Sequence, residues 1–139
     1  MVFKVKVITQ GKAKEPWLQE SLLLYEKRLK GRMEIEWILF ENEKNLVERI
    51  LNEPTIIALD VQGQALTSTQ FSRSLFTEWG SRPSFAIGGA SGLSQEILRN
   101  AKYRISLSTL TFTHQMVRLI LIEQLYRAIE IEKASAYHK

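Results

Sequence analysis

The spacing of apolar residues changes period repeatedly along the chain, and each change marks an element. Phe3, Val5 and Val7 alternate with Lys4 and Lys6, the period of a half-buried strand. Thr9-Gln10-Gly11-Lys12 closes it with a turn. Pro16 suits a first helical turn, where its missing N–H costs nothing, and Trp17, Leu18, Leu22, Tyr25 and Leu29 then recur at helical spacing before Gly31. Ile35, Trp37 and Leu39 alternate with Glu34, Glu36 and Ile38 as a second strand. Leu46, Val47, Ile50 and Leu51 mark a short helix that stops before Pro54. Thr55 to Val61 is a near-continuous apolar run ending Asp60-Val61, as a strand covered on both faces reads, and Gln62-Gly63-Gln64 reads as a turn. Thr67 or Ser68 caps a helix that buries Phe71, Leu75, Phe76 and Trp79. Ser84 to Ile87 is another buried strand, running straight into Gly88-Gly89-Ala90-Ser91-Gly92. Ser94 caps a helix through Ile97, Leu98 and Ala101.

The last stretch organises the rest. Ile105 to Leu107 predicts a short strand, Ser108 to Thr113 a hydroxyl-rich turn with Thr113 as N-cap, and Met116 to Ile131 a helix. That helix is apolar on nearly every side, too broadly for the single stripe of a surface helix. It must be covered on two sides: by its own sheet, and by more of the same chain or a second subunit. Glu123 and Arg127, one turn apart, are expected to pair on its remaining polar strip.

Strands alternating with helices predict an α/β sheet, mostly parallel, with helices on both faces. At 139 residues the chain, 1–139, reads as a single domain. With 0 Cys, disulfides, thiolate metal sites and cysteine nucleophiles are excluded, and the only two histidines, His114 and His138, rule out a histidine-rich metal centre, so no metal is expected. The net charge of +4 admits a nucleic-acid partner without requiring one. No apolar run reaches the ~20 residues of a membrane span, so a cytoplasmic protein with no membrane partner is expected.

In open α/β sheets ligands bind beyond the carboxyl ends of the strands. Three such ends have unusual sequence: Leu59-Asp60-Val61-Gln62-Gly63, Ile87 to Gly92, and Leu107 to Phe112. The glycines let a ligand approach the backbone, yet they match neither a dinucleotide fingerprint nor a phosphate loop; a tight strand-to-helix turn explains them equally well. Asp60 suits a ribose hydroxyl or a solvated turn. Arg118, among apolar neighbours, needs a carbonyl or anionic partner, which a salt bridge or a substrate phosphate supplies equally. No carboxylate pair, Ser-His-Asp set or metal-spaced cluster emerges. Chemistry carried by a cofactor, with the protein supplying position and desolvation, fits that absence; methyl transfer from a sulfonium is one such reaction.

IGGASGL (Ile87 to Leu93), LSTLTFTHQMVRLILIEQLYRA (Leu107 to Ala128) and the terminal YHK (Tyr137 to Lys139) resemble the RlmH (YbeA-like) family of SPOUT-class methyltransferases, over essentially the whole chain. The resemblance implies a trefoil-knotted α/β fold and a homodimer. It implies methylation of N3 of a pseudouridine in 23S rRNA, at a stem-loop near the subunit interface of the assembled 70S ribosome, with S-adenosylmethionine (AdoMet) as cofactor. Carried over by position, the cofactor contacts fall on Leu59, Gly88, Leu107, Ser108, Thr109, Leu110, Thr111 and Phe112, with Gly89 and Gly92 keeping the loop close. His138 is the candidate base, acting in its own site or the partner's, and Arg118 and His114 are candidates for holding RNA phosphate or the developing anion. Lys4, Lys6, Lys12, Lys14, Lys27, Arg28 and Lys30 are candidate phosphate contacts or a solvated face. Thr113 and Gln115 stand where many members carry proline, Ala90-Ser91 where others carry proline and an acid, and Ala136 where others have proline. Two alternatives remain: a ribosome-binding or assembly protein of the same fold without transfer, and a SPOUT methyltransferase for another RNA.

Overall fold

The computed structural model describes residues 2–138. Five strands and five helices alternate: β1 Phe3–Gln10, α1 Pro16–Leu29, β2 Met33–Phe40, α2 Glu43–Leu51, β3 Ile56–Ala65, α3 Ser68–Thr77, β4 Ser84–Ala86, α4 Gln95–Asn100, β5 Tyr103–Ser106 and α5 His114–Glu132. The strands form one sheet in the order β2-β1-β4-β3-β5, and every pairing is parallel. All carboxyl ends therefore lie along one edge.

The helix starts follow their capping residues. Pro16 opens α1, and Asn42, Thr67, Ser94 and Thr113 each accept a backbone N–H three residues on. Thr67, not Ser68, is the cap of α3, in a reciprocal capping box with Gln70.

Successive side chains of a strand point to opposite faces, which sorts the core into two layers. Val5, Val7, Ile57, Phe85 and Ile105 meet α1, α3 and α5 through Leu18, Leu22, Phe71, Leu75, Leu121 and Leu125. Ile8, Ile56 and Ala86 meet α2 and α4 through Leu46, Ile50 and Ile97. Helix α5 lies on the first face between α1 and α3. Its inner residues Leu121, Ile122, Leu125 and Ala128 are buried, while Met116, Leu119, Ile120 and Tyr126 are only half-buried. Its apolar breadth is thus met on one side by sheet and neighbouring helices and left partly open on the other. Trp17, expected on the buried repeat of α1, is exposed, as is Leu24 two turns along the same stripe.

Two differences from the periodicity reading matter for the site. Gln62-Gly63-Gln64 is not a terminal turn, because β3 continues to Ala65 and resumes pairing with β5. Leu59 and Gln64 both sit opposite Ile105, so residues 60–63 loop out between two lengths of strand. At that return Gly63 lies against β5 so closely that a Cβ would stand 2.7 Å from the Arg104 carbonyl carbon and from Ile105 N. Any side chain there would force two backbones apart. Strand β5 itself runs from Tyr103 to Ser106, earlier than the Ile105 to Leu107 expected.

Candidate active site

The sheet order brings the three unusual strand ends together. Ala58 pairs with Ala86 and Leu59 with Ile105. Gly88 therefore follows β4, Asp60 lies beside it on β3, and Leu107 follows β5 on the far side. Three adjacent strands span about 10 Å, so segments nearly fifty residues apart in sequence share one mouth. Val61, Leu110 and Phe112 are exposed there at 47%, 69% and 42%. Large apolar side chains bared beside a cluster of strand ends are what an adenine ring would cover, and this fits the residues to AdoMet.

The glycine turn has its own geometry. Gly92 N donates to Gly89 O at 3.0 Å, and a Cβ on Gly88 would stand 2.3 Å from the Gly92 carbonyl carbon. Glycine at 88 is required by the turn's closure on itself. Asp60 is engaged as well: one oxygen accepts from Arg104 at 2.6 Å and the other from Gln62 N at 3.3 Å. Ser108 Oγ accepts from Leu110 N and its carbonyl accepts from Ser106 Oγ, which sets the hydroxyl turn.

Arg118 is 1% exposed and finds the carbonyl partners its burial demands: Nη2 donates to Gln10 O and Gly11 O, both at 2.8 Å. It thus ties α5 to the end of β1. Gln115 adds a second tie by donating to Lys12 O at 3.1 Å. Its amide also lies 3.3 Å from His114 Nε2, which accepts, leaving the His114 proton on Nδ1. Burial, then Arg118 and Lys14, push His114 below the usual histidine range, so its ring is neutral at neutral pH. Among the described residues three buried side-chain polar atoms lack a partner, Thr9 Oγ1, Gln115 Oε1 and Arg118 Nε, and all belong to this junction of β1 and α5.

His138 lies elsewhere. Tyr137 packs edge-on against Tyr126 and donates to Glu123 Oε2 at 2.8 Å, while Arg127 Nη1 donates to His138 Nδ1 at 3.0 Å. Arg127 also holds the expected pair with Glu123, at 3.1 Å. The tail is docked, not frayed; Lys139 lies outside the described residues. Arg127 is thirteen residues beyond His114, about 20 Å along the helix. The chain therefore keeps His138 far from its own strand ends. The lysines divide likewise. Lys12 and Lys14 flank the mouth, Lys6 is paired with Glu53, and Arg28 stacks on Tyr25 and Tyr126 near the tail.

Comparison with known proteins decides the family. Residues 3–138 match the family model described as predicted SPOUT methyltransferase. The chain belongs to the SPOUT methyltransferase family. Within it, ribosomal RNA large subunit methyltransferase H of Protochlamydia amoebophila is 46% identical, over 99% of this chain and 100% of its own length. The protein of that name from one strain of Prochlorococcus marinus is 43% identical over 98% of this chain and 96% of its own. This SPOUT chain falls in that large-subunit methyltransferase H branch, and its fold class is the SPOUT α/β knot. Among solved structures, TrmJ from Z. mobilis ZM4 covers 92% of the chain (70% of its own) with a TM-score of 0.58 at 9% identity. A probable methylase family protein from Haemophilus influenzae Rd KW20 covers 98% (70% of its own) with a TM-score of 0.59 at 8% identity. At such identities the likeness is one of fold. Periodicity gives no sign of Gln10 at this SPOUT site, because its role depends on contacts with distant segments.

Proposed function

We propose that this chain is an AdoMet-dependent methyltransferase of large-subunit ribosomal RNA, acting on N3 of a pseudouridine in the assembled 70S ribosome as a cytoplasmic homodimer. The observation that carries the reading is the joining, on three adjacent strand ends, of the segments that resemble the family's cofactor site, in a chain alike over its full length to proteins named large subunit methyltransferase H. When bound, AdoMet would supply an electrophilic methyl on a positive sulfur, with a neutral thioether as the leaving group. Leu59, Gly88, Gly89, Gly92 and Leu107 to Phe112 would hold it, with Leu110 and Phe112 enclosing the ring and excluding water.

The pseudouridine N3–H must lose its proton as the N–C bond forms, so the site needs a base or a donor to the developing anion. Neutral His114 at the mouth and Lys12 and Lys14 beside it supply a polar rim for the RNA. Arg118, buried on two carbonyls, acts by holding the junction in place. His138 acts in the partner's site, because its own lies about 20 Å away along α5. In its bond with Arg127, Nδ1 accepts and Nε2 carries the proton, so His138 presents a donor and becomes a base only after Nδ1 is released. Trp17 and Leu24 on α1, with the half-buried Ile120 of α5, supply an apolar face for the second subunit.

Transfer of labelled methyl from AdoMet to intact ribosomes lacking the modification, with separated subunits and tRNA alongside, tests this. Label on the large-subunit rRNA of intact ribosomes is expected; label on tRNA alone, or no transfer despite AdoMet binding, would refute it. His138→Ala should slow single-turnover transfer roughly hundredfold, in line with loss of one acid–base group. His138→Gln, which keeps a donor, recovers part of that loss if the histidine stabilises the anion, and none if it is the base.

A further inference from the structure

Gln10 ends β1 between the two segments on which the site depends. Its main-chain carbonyl, with that of Gly11, receives Arg118 from α5. Its side chain points to the opposite face of the sheet, where Nε2 donates to the Glu41 carbonyl at 3.1 Å, just past the end of β2. The amide so held lies against the glycine turn. The three atoms nearest to where a Cβ of Gly89 would stand all belong to Gln10: Oε1 at 2.7 Å, Cδ at 3.5 Å and Cβ at 3.8 Å. Gly89 is not among the residues with positive φ, so its backbone does not require glycine. What it lacks room for is a side chain, and the occupant of that room is Gln10.

We propose that Gln10 is a positioning residue for the cofactor turn: its side chain, anchored on Glu41, seats Gly89 and fixes the turn of residues 88–92, while its carbonyl locks the same point to α5 through Arg118. The inference rests on the AdoMet reading above and adds to it a residue outside the three strand ends. Two features follow from the seat. The main chain ties the turn to β1 at its base, where Ile87 N donates to Ile8 O at 3.0 Å; beyond that bond the Gln10 side chain is what lies against the turn, so residues 88–92 can shift without breaking the sheet. And α5, which carries His114, is held in register with the turn through one residue, so a shift of either is passed to the other.

A double-mutant cycle separates this seat from a general structural effect. Gln10→Ala removes the seat. Gly89→Ala leaves Gln10 in place but drives its amide, the flexible end of the side chain, off the Glu41 carbonyl. AdoMet affinity by calorimetry is expected to fall about tenfold for each, by the order of a displaced hydrogen bond. The double variant should bind no more weakly than the weaker single, because both changes undo one contact. KM for AdoMet should rise while kcat at saturating AdoMet holds; lost folded protein would lower kcat instead. Unchanged affinity in Gln10→Ala, or losses that multiply to about a hundredfold in the double variant, would overturn the proposal. If the wild-type chain binds no AdoMet, the cofactor reading fails by itself and the melting curves decide the seat. Gly89→Ala should then lower Tm only while Gln10 is present, and equal shifts in both backgrounds would overturn it.

Discussion

The two edges of this sheet treat their polar groups in opposite ways. At the amino edge Glu53, whose side chain is 7% exposed, accepts from Arg49 at 3.1 Å, Ser84 at 3.1 Å and Lys6 at 3.4 Å. The carboxylate joins the end of α2 to β1 and β4, and among the described residues none of the unpartnered buried atoms lies there. At the carboxyl edge Thr9 Oγ1, Gln115 Oε1 and Arg118 Nε stay without partners, and Val61, Leu110 and Phe112 stay uncovered. One edge satisfies its polar groups internally; the other leaves polar and apolar groups free. Unsatisfied buried groups and bare apolar side chains both cost stability, so an edge that keeps them is shaped for something other than stability. The difference singles out the carboxyl edge without appeal to any relative.

Substitutions can break that contrast. The largest effect is expected from Arg118→Met, which fills a similar volume but strands the Gln10 and Gly11 carbonyls. Denaturant titration should show a loss of about 2–3 kcal/mol, and AdoMet affinity should fall with it, because the residue serves fold and site together. Unchanged affinity would separate Arg118 from the site.

Glu53→Gln comes next, at about 1–2 kcal/mol, limited because Lys6 and Arg49 are partly solvated and can turn to water. AdoMet affinity should not move. The effect carries a pH signature. Burial raises the Glu53 carboxyl, but Arg49, Lys6 and Ser84 outweigh it, and the folded value lies below the usual carboxylate range of about 4.5. The contribution is therefore present above that range and is lost as pH falls through the lowered folded value. The stability gap between wild type and Glu53→Gln should close on acidification; a gap constant down to acid pH would show that the charge is not what matters.

Leu110→Ser and Phe112→Ser sit at the small end for stability. Both side chains already meet water, so Tm should shift by no more than about a degree, within the spread of surface substitutions. AdoMet binding should weaken roughly tenfold, the order expected for uncovering one apolar side chain. A fall in Tm without a change in binding would show that these residues belong to the fold and not to the site.

Much of the molecule was legible from the residues. Thr113 and Ser94 cap the helices they were expected to cap, and the strand ends at Leu59, Gly88 and Leu107 share one edge as the alternation implied. Other features were not. Gln62 to Gln64 has the composition of a turn, yet the segment returns to pair with β5. Arg118 needed a carbonyl or an anion, and nothing near it in sequence indicated that Gln10 and Gly11, more than a hundred residues earlier, would provide the carbonyls. His138 had the right chemistry at a position about 20 Å along α5 from its own mouth.

The sequence by itself determined what acts within one or two turns: helical and strand periods, the capping residues, and the Glu123–Arg127 pair one turn apart. These interactions join residues whose spacing the chain itself sets. Only the tertiary structure decided the strand order β2-β1-β4-β3-β5, the second length of β3 beside Ile105, the carbonyls that hold Arg118 and the seat of Gln10 against Gly89. The backbone groups that pair parallel strands are the same in every residue, so they carry no record of which strand is the neighbour. That choice comes from the joint packing of two helical layers over the whole sheet, and it is what assembles the site.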